Sequence, residues 1–338
     1  MKNFFLIPLL FSVLIARSQT GGEAVYSFLN LPTSARQIAL GGSALTISGD
    51  INQPMWNPAT IDSDLNNLAA LNYTNFLAGI KLGSFMYATR FHKKLGVFHS
   101  SVKYLDYGTL TRADESGNIT GSFKAYDLAV SLGYAHHIKS LNLDVGANVK
   151  IINSLIDTFS SVGMAMDLAF MYKDIYSPFK ISLVFRNIGT QLKTFNGTNE
   201  KIPLQISLGA SSQLEHVPIK WFVSIDNLQQ WDISTANPSN ATYDIESDSF
   251  EEEEISFGNN AMRHFVFGVE LFPDSKLTFR LGYNHRKAKE LSIIDKRTSS
   301  GLSYGFGLKI PHGQLNYALS KFHPSANSNT FSLILDLN

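Results

Sequence analysis

The chain has 338 residues, no cysteine, and equal numbers of basic and acidic side chains, so its formal net charge is zero. Charged residues make up 17%, below the roughly 25% usual in soluble domains, and aromatics reach 12%. This balance excludes a disulfide framework, a cysteine-ligated zinc and a thiol nucleophile, and it gives no electrostatic footing for nucleic-acid binding.

The first 18 residues read as an export signal. One lysine in MKN precedes the apolar run FFLIPLLFSVLIA at 4–16, and Ala16 and Ser18 stand as the small residues before a cleavage point. The run is short for a spanning helix, and the three-part layout is that of a secretory signal peptide with cleavage expected after Ser18. No cysteine follows the cut, so no lipoprotein anchor is expected.

Residues 19–66 precede the run of regular alternation. They include LPTSARQIALGGSALTISGD, too apolar and too poor in charge for a disordered tail. They read as a first strand pair with its loop or, as we expect, a hatch, a segment folded into or under the barrel that follows. Its end carries PMWNPA at 54–59. Asn57 can cap free backbone N–H groups, and Pro58 is favoured at the first helical position and holds Asn57 extended. Trp56 precedes the cap as an apolar wedge. Trp56, Asn57, Pro58 and Ala59 therefore read as a rigid corner that closes the hatch and sends the chain into the first strand.

From about residue 67 the period is 2. Leu277, Phe279, Leu281 and Tyr283 alternate with Thr278, Arg280, Gly282 and Asn284, and Leu143, Val145, Ala147, Val149 and Ile151 alternate with Asp144, Gly146, Asn148 and Lys150. Such alternation argues half-buried strands. Fourteen segments carry it, near 67–78, 81–92, 95–105, 122–135, 141–154, 157–172, 179–188, 202–214, 217–228, 262–272, 276–286, 299–310, 313–322 and 327–337. Most reach the 9–11 residues that a tilted membrane-crossing strand needs. An even number of strands closes a barrel without an open edge.

The connections alternate too. Short ones fall near 92–95, 136–140, 273–275 and 311–313, and long ones near 106–121, 189–201, 229–261 and 287–298. Short periplasmic turns and long external loops are the habit of outer-membrane barrels, with both termini in the periplasm. The polar set Arg280, Asp144, Lys150, Asp167, Arg186, Asn284 and Lys309 is expected to face the lumen. The fold expected is all-β: a 14-stranded antiparallel transmembrane β-barrel over 67–338, with the hatch at 19–66 and the signal peptide at 1–18.

Two loops stand out. DIESDSFEEEE at 244–254 holds seven acids: Asp244, Glu246, Asp248, Glu251, Glu252, Glu253 and Glu254. It is a solvated loop or a docking site for a basic partner or divalent cations. A calcium loop is argued against, since no glycine follows Asp248 and Ile255 stands where a closing glutamate belongs. HRKAKELSIIDKR at 285–297 is basic, solvated or near anionic lipopolysaccharide. No catalytic constellation emerges. Ser100 and Lys103 match an S-x-x-K pair without its partner motifs, in a strand where they face opposite ways. No cofactor and no metal ligand set is expected.

Taken in order, these residues resemble a known family. WNPA followed by 14 strands is similar to the FadL-type outer-membrane proteins. YSFLNLPTSARQIALGG at 26–42, FRNIG at 185–189, FRLGYNHRK at 279–287 and GLSYGFGLKI at 301–310 resemble the PorV/PorQ group of type IX secretion barrels of Bacteroidetes, over essentially the whole mature chain. FRNIG resembles that group's turn after a strand. The resemblance implies a non-enzymatic role at the outer-membrane end of type IX secretion. There the barrel anchors surface partners, PorZ-like proteins in particular, beside the sortase PorU with PorV, near lipopolysaccharide. The acidic loop is the expected contact. The rival expectation is a FadL-like channel for hydrophobic small molecules, with such a ligand in the lumen.

Overall fold

The computed structural model describes residues 24–92, 96–234, 242–244, 249–251, 255–292, 299–323 and 326–338, so the expected signal peptide lies outside the described residues. The wall strands are β1 (Leu68–Asn75), β2 (Lys81–His92), β3 (Gly96–Ala113), β4 (Ile119–Ile138), β5 (Leu143–Ile156), β6 (Phe159–Lys173), β7 (Lys180–Lys193), β8 (Gln205–Gln213) and β9 (Ile219–Ile225). A minor hairpin, β10 (Thr242–Asp244) with β11 (Ser249–Glu251), stands apart from the wall. The wall resumes with β12 (Phe265–Leu271), β13 (Leu277–Asn284), β14 (Leu302–Ile310), β15 (Gly313–His323) and β16 (Ala326–Asp336). These 14 strands form one closed antiparallel barrel, sealed where Leu68 of β1 pairs with Asp336 of β16.

Alternation decides which face goes where. In β1, Leu71 and Tyr73 are exposed while Asn72 and Thr74 are buried. In β5, Val149 and Ile151 point out while Asn148, Lys150 and Ser154 are buried. In β13, Phe279 and Leu281 are out and Arg280 is in. An apolar outside and a polar inside is the reverse of a soluble barrel, and it is the pattern of a wall solvated by lipid. Asp144, Lys150, Asp167, Arg186 and Arg280 are all buried inside, whereas Lys309 sits exposed near the end of β14.

The connections sort by parity. The turns β2–β3, β4–β5, β6–β7, β8–β9, β12–β13 and β14–β15 lie at one end, with the C-terminus. The longest connections, β9–β12 and β13–β14, lie at the other, where α2 (Phe257–Arg263) and α3 (His285–Glu290) form, after α1 (Ala35–Ala39) earlier in the chain.

Two further expectations need correction. The stretch 106–121 is no loose loop: β3 and β4 run on as a paired hairpin to a turn at Asp114–Asn118. Apolar alternation stops where the hairpin leaves the apolar band, but the ladder continues, because backbone pairing needs no apolar face. FRNIG is not a turn after a strand but a bulge inside β7, where the register against β6 slips between Met166 and Leu168 and Asn187 takes φ 60°. The bulge turns Arg186 and Asn187 inward together. Ala24, the first described residue, pairs with Lys201 in the β7–β8 connection at the long-loop end.

Residues 24–66 run inside the wall from that end to the start of β1. Few form regular structure beyond α1 and single 3-10 turns such as Pro58–Thr60, yet most are buried. Inward glycines of the wall seat this inner segment. A Cβ added to Gly146 of β5 would lie 2.3 Å from the carbonyl carbon of Pro58, and one on Gly282 of β13 would lie 2.1 Å from the nitrogen of Gly41. Only a residue without a side chain lets two backbones approach so closely.

Candidate functional site: the filled lumen and its loop-end mouth

The corner at 56–59 is built on its asparagine. Asn57 is extended (φ −144°, ψ 99°), and its side-chain oxygen accepts the Ala59 N–H at 3.0 Å, capping the turn that Pro58 begins. Its amide donates to the Leu45 carbonyl at 2.7 Å and to Ser182 Oγ of β7 at 2.9 Å. One side chain thus caps a turn, ties two stretches of the inner segment together and pins both to the wall. Trp56, 7% exposed, lies under the Arg186 guanidinium, whose carbon is 3.6 Å from the ring centroid. Such a desolvated cation over an indole is worth about 2 kcal/mol.

Around the corner the wall supplies a polar lining. Lys150 Nζ reaches Asp167 Oδ2 at 2.7 Å and Asn187 Oδ1 at 2.9 Å. Asn187 donates from its amide to Asn30 Oδ1 at 2.9 Å and to the Pro203 carbonyl at 3.1 Å, while its backbone N–H meets Asp167 at 2.9 Å. Asn148 donates to the Pro54 carbonyl at 2.8 Å. Across the lumen Glu270 is held by Arg36 of α1 and Arg280 of β13, each at 2.8 Å. Buried charges are stable only when paired and hydrogen-bonded, and these are. At the short-turn end Lys173 bridges Asp144 at 2.9 Å and Asp62 at 3.8 Å, and His137 lies 2.7 Å from Asp144. Burial pushes the Asp62 carboxyl above its usual range, against the pull of Lys173. The hub at Asn187 was missed in the sequence; its only trace there is the asparagine of FRNIG, which reads equally as a turn.

The mouth at the long-loop end differs. A cavity of about 470 Å³ opens there, lined by Phe28, Leu31, Phe76, Leu105, Tyr107 and Phe322 among others. A chamber of about 200 Å³ shares Leu31 and Phe322 with it and reaches Asp226 and Lys287. The Lys287 ammonium sits 4.1 Å from the centre of the Phe322 ring. Burial draws its pKa down to about 8, with Asp226 pulling the other way.

The acidic loop is described only in part. Asp244 and Glu251 belong to the β10–β11 hairpin, paired with Ser249 and Thr242. Glu246, Asp248, Glu252, Glu253 and Glu254 lie outside the described residues. Of the basic loop, 285–290 forms α3 and 293–298 lie outside. Ser100 is exposed on the outer face while Lys103 is buried inside, donating to the Leu31 carbonyl at 2.5 Å, so the wall separates the S-x-x-K pair. Among the described residues no three histidines or carboxylates converge as a metal site.

A closed wall, apolar outside, with a polar interior occupied by its own chain, defines the class: a membrane-spanning β-barrel of the outer-membrane type with a filled lumen. No family model matches the chain, and no curated protein matches it. Solved structures do. The toluene transporter TbuX of Ralstonia pickettii aligns at 12% identity and a TM-score of 0.49, over 91% of this chain and 98% of its own. CdiB from Acinetobacter baumannii aligns at 10% and 0.35, over 80% of this chain and 60% of its own. A mutant porin of Rh. blastica aligns at 8% and 0.31, over 80% of this chain and 99% of its own. These are likenesses of one barrel to another, and they carry no argument about what this chain binds.

Proposed function

We propose that this chain is a non-enzymatic outer-membrane component of a type IX secretion system, of the PorQ kind, that anchors surface partners of the cargo-attachment complex. The observation that carries this reading is the filled lumen. Residues 24–66 occupy the interior, and their contacts are fixed by buried ion pairs and a capped corner. A barrel filled in this way offers partners its loops and rim. The ordered motifs at 26–42, 56–59 and 279–310 supply the resemblance that narrows the class.

In this reading residues 1–18 export the chain, the short-turn end faces the periplasm, and the long loops face outward. The partners are a PorZ-like surface protein, the sortase PorU with PorV, and lipopolysaccharide. The acids at 244–254 are their contact. Affinity isolation from native outer membrane tests this: the full chain should bring a surface partner with it, and a chain lacking 244–254 should not. Undiminished capture by the deletion would remove the loop from the account.

A second reading has its own observation. The apolar cavity at the mouth, with a lysine in the adjoining chamber, favours a FadL-like channel for hydrophobic small molecules. Native mass spectrometry of the barrel released from membrane separates the two, because a bound hydrophobe belongs only to the second.

A further inference from the structure

The two faces of β3 and β4 exchange character at the long-loop end. Lower down, the outer face of β4 carries exposed Val130 and Leu132, and its inner face buries Asp127 and Ser131. β2 pairs with β3 only as far as Asp106, and β5 pairs with β4 only as far as Ala125. Beyond those points 107–113 and 119–124 pair with each other alone among the described strands. In this free hairpin Leu110 stands opposite Phe123 and Arg112 opposite Gly121, on one face. Thr109 stands opposite Lys124 and Thr111 opposite Ser122, on the other. Alternation along β4, from buried Asp127 through buried Ala125, puts Phe123 on the lumen side. The hairpin is therefore apolar inside and polar outside. That is the reverse of the wall below it and the arrangement of a sheet in water with one face to be covered.

The β5–β6 turn extends the same face. Ile156 pairs with Phe159, and both share the inward side with Ser154 and Ser161, which are buried. Ile156 also stands opposite Ala125, one step below Phe123 on that side. Leu110, Phe123, Ile156 and Phe159 thus form an apolar strip across β3–β6, above the mouth. Leu110 is 36% exposed, Ile156 44% and Phe159 55%. The two hairpins are braced together: Arg112 pairs with Asp157 in the β5–β6 turn, and its guanidinium lies 6.0 Å from the Phe123 ring centre. At the foot of the strip Tyr107 donates to Asp127 Oδ2 at 2.7 Å and lines the mouth cavity. The cavity lining stops there and takes in none of the four strip residues.

We propose that this strip and the free ladder edge beside it are a docking site for an extended segment of a protein partner. The segment adds as a strand to the β3–β4 hairpin and lays alternate apolar side chains against Leu110, Phe123, Ile156 and Phe159. Lipid does not fit, because the strip faces inward over the mouth and the outer face at this height carries Thr109, Thr111, Ser122 and Lys124. A small hydrophobe does not fit either, because it needs a concave site that encloses it, and the strip lies outside the cavity. The edges decide the class. Residues 107–113 and 119–124 each leave one side of the ladder unpaired, and an extended backbone is the ligand that matches such a row of donors and acceptors. A lone two-stranded hairpin is marginal in water, and a third strand supplies the pairing it lacks. This docking rests on the anchoring reading and gives the partner a second contact, on another sector of the rim from the acidic loop.

The test is site-specific cross-linking of the full chain in the native outer membrane. The photoreactive residue p-benzoylphenylalanine replaces Leu110 or Phe159 on the strip, or Lys124 on the outer face of the same hairpin as the control. Irradiation should join the two strip positions to one surface protein, at a segment whose apolar residues alternate, and the control should give little of that adduct. In parallel, Leu110→Ser with Phe159→Ser should lower recovery of that same protein with the tagged barrel by about tenfold, while Thr111→Ser leaves it unchanged. All four substituted side chains are exposed, and heat-modifiable gel migration of each variant checks that the barrel is closed. A parent chain that recovers no surface protein would overturn the anchoring reading and this site with it. A parent that recovers one, with the strip variants recovering as much and the strip positions giving no adduct to it, would overturn this site alone. So would an adduct to a second copy of this chain, to lipid or to a small hydrophobe.

Discussion

The wall over β3–β6 and the wall over β9–β12 are built to opposite proportions. The first is tall, its strands run past the apolar band, and its inner face is crowded by the corner at 56–59, with Gly146 and Asn148 meeting Pro58 and Pro54. The second is low, with seven residues in each strand. Both sides grip the inner segment, the tall one at Pro54 and Pro58 and the low one through the Glu270–Arg36 ion pair. Strand length therefore does not decide where the inner segment is held, since tall and low strands both carry its contacts.

The largest expected effect would break the tall side. Gly146→Val drives a side chain into the backbone of Pro58 and Ala59, and we expect a loss of about 3 kcal/mol or more in urea unfolding from vesicles. Gly83→Val in β2, where an added Cβ meets nothing, should stay within about 0.5 kcal/mol of the parent. Equal losses in the two would mean that the inner segment does not seat on the wall. Asn57→Ala comes next. It removes the cap on Ala59 and leaves the Leu45 carbonyl without its donor, a cost of about 2–3 kcal/mol in the same assay.

A smaller effect sharpens the mouth. The folded pKa of Lys287, about 8, lies below the usual lysine value, so the unfolded chain holds this proton more tightly. Stability should be flat below pH 8 and rise as pH climbs from there toward the ordinary lysine range near 10.4. The parent-minus-Lys287→Met difference should show that rise, and a level difference across the window would mean the ammonium is not desolvated. The smallest effect belongs to Ser100→Ala. With Ser100 outside and Lys103 inside, folding yield and partner capture should both stay at parental levels.

How much was legible in the sequence follows from which face each residue needed. Where the wall crosses lipid, every second side chain had to be apolar, and runs such as Leu277–Asn284 announce themselves. The upper hairpin over 106–121 did not, because Asp106, Thr109, Thr111 and Arg112 face water on both sides of the ladder and carry no period. The bulge at Arg186–Asn187 hid for a related reason: the extra residue interrupts the alternation just where Asn187 becomes the hub for Lys150, Asn30 and Asp167. The capping residue types of the corner are visible in WNPA, but its tie to Ser182 joins positions 125 residues apart, and nothing local encodes it. The low wall is written in the seven-residue length of β9 and β12, which only the closed ladder defines, since the apolar pattern runs on past the strand ends into Leu228 and Phe272.

The account turns on an interior taken up by the chain itself and partners met outside it. The direct test is affinity isolation of the tagged full chain from native outer membrane in mild detergent, identifying both the proteins and the lipids that accompany it. A surface protein that comes with the full chain, and is lost when 244–254 are deleted, is the predicted result. A barrel that arrives without protein partners, carrying a hydrophobic small molecule in the cavity beside Phe28 and Phe322, would contradict it.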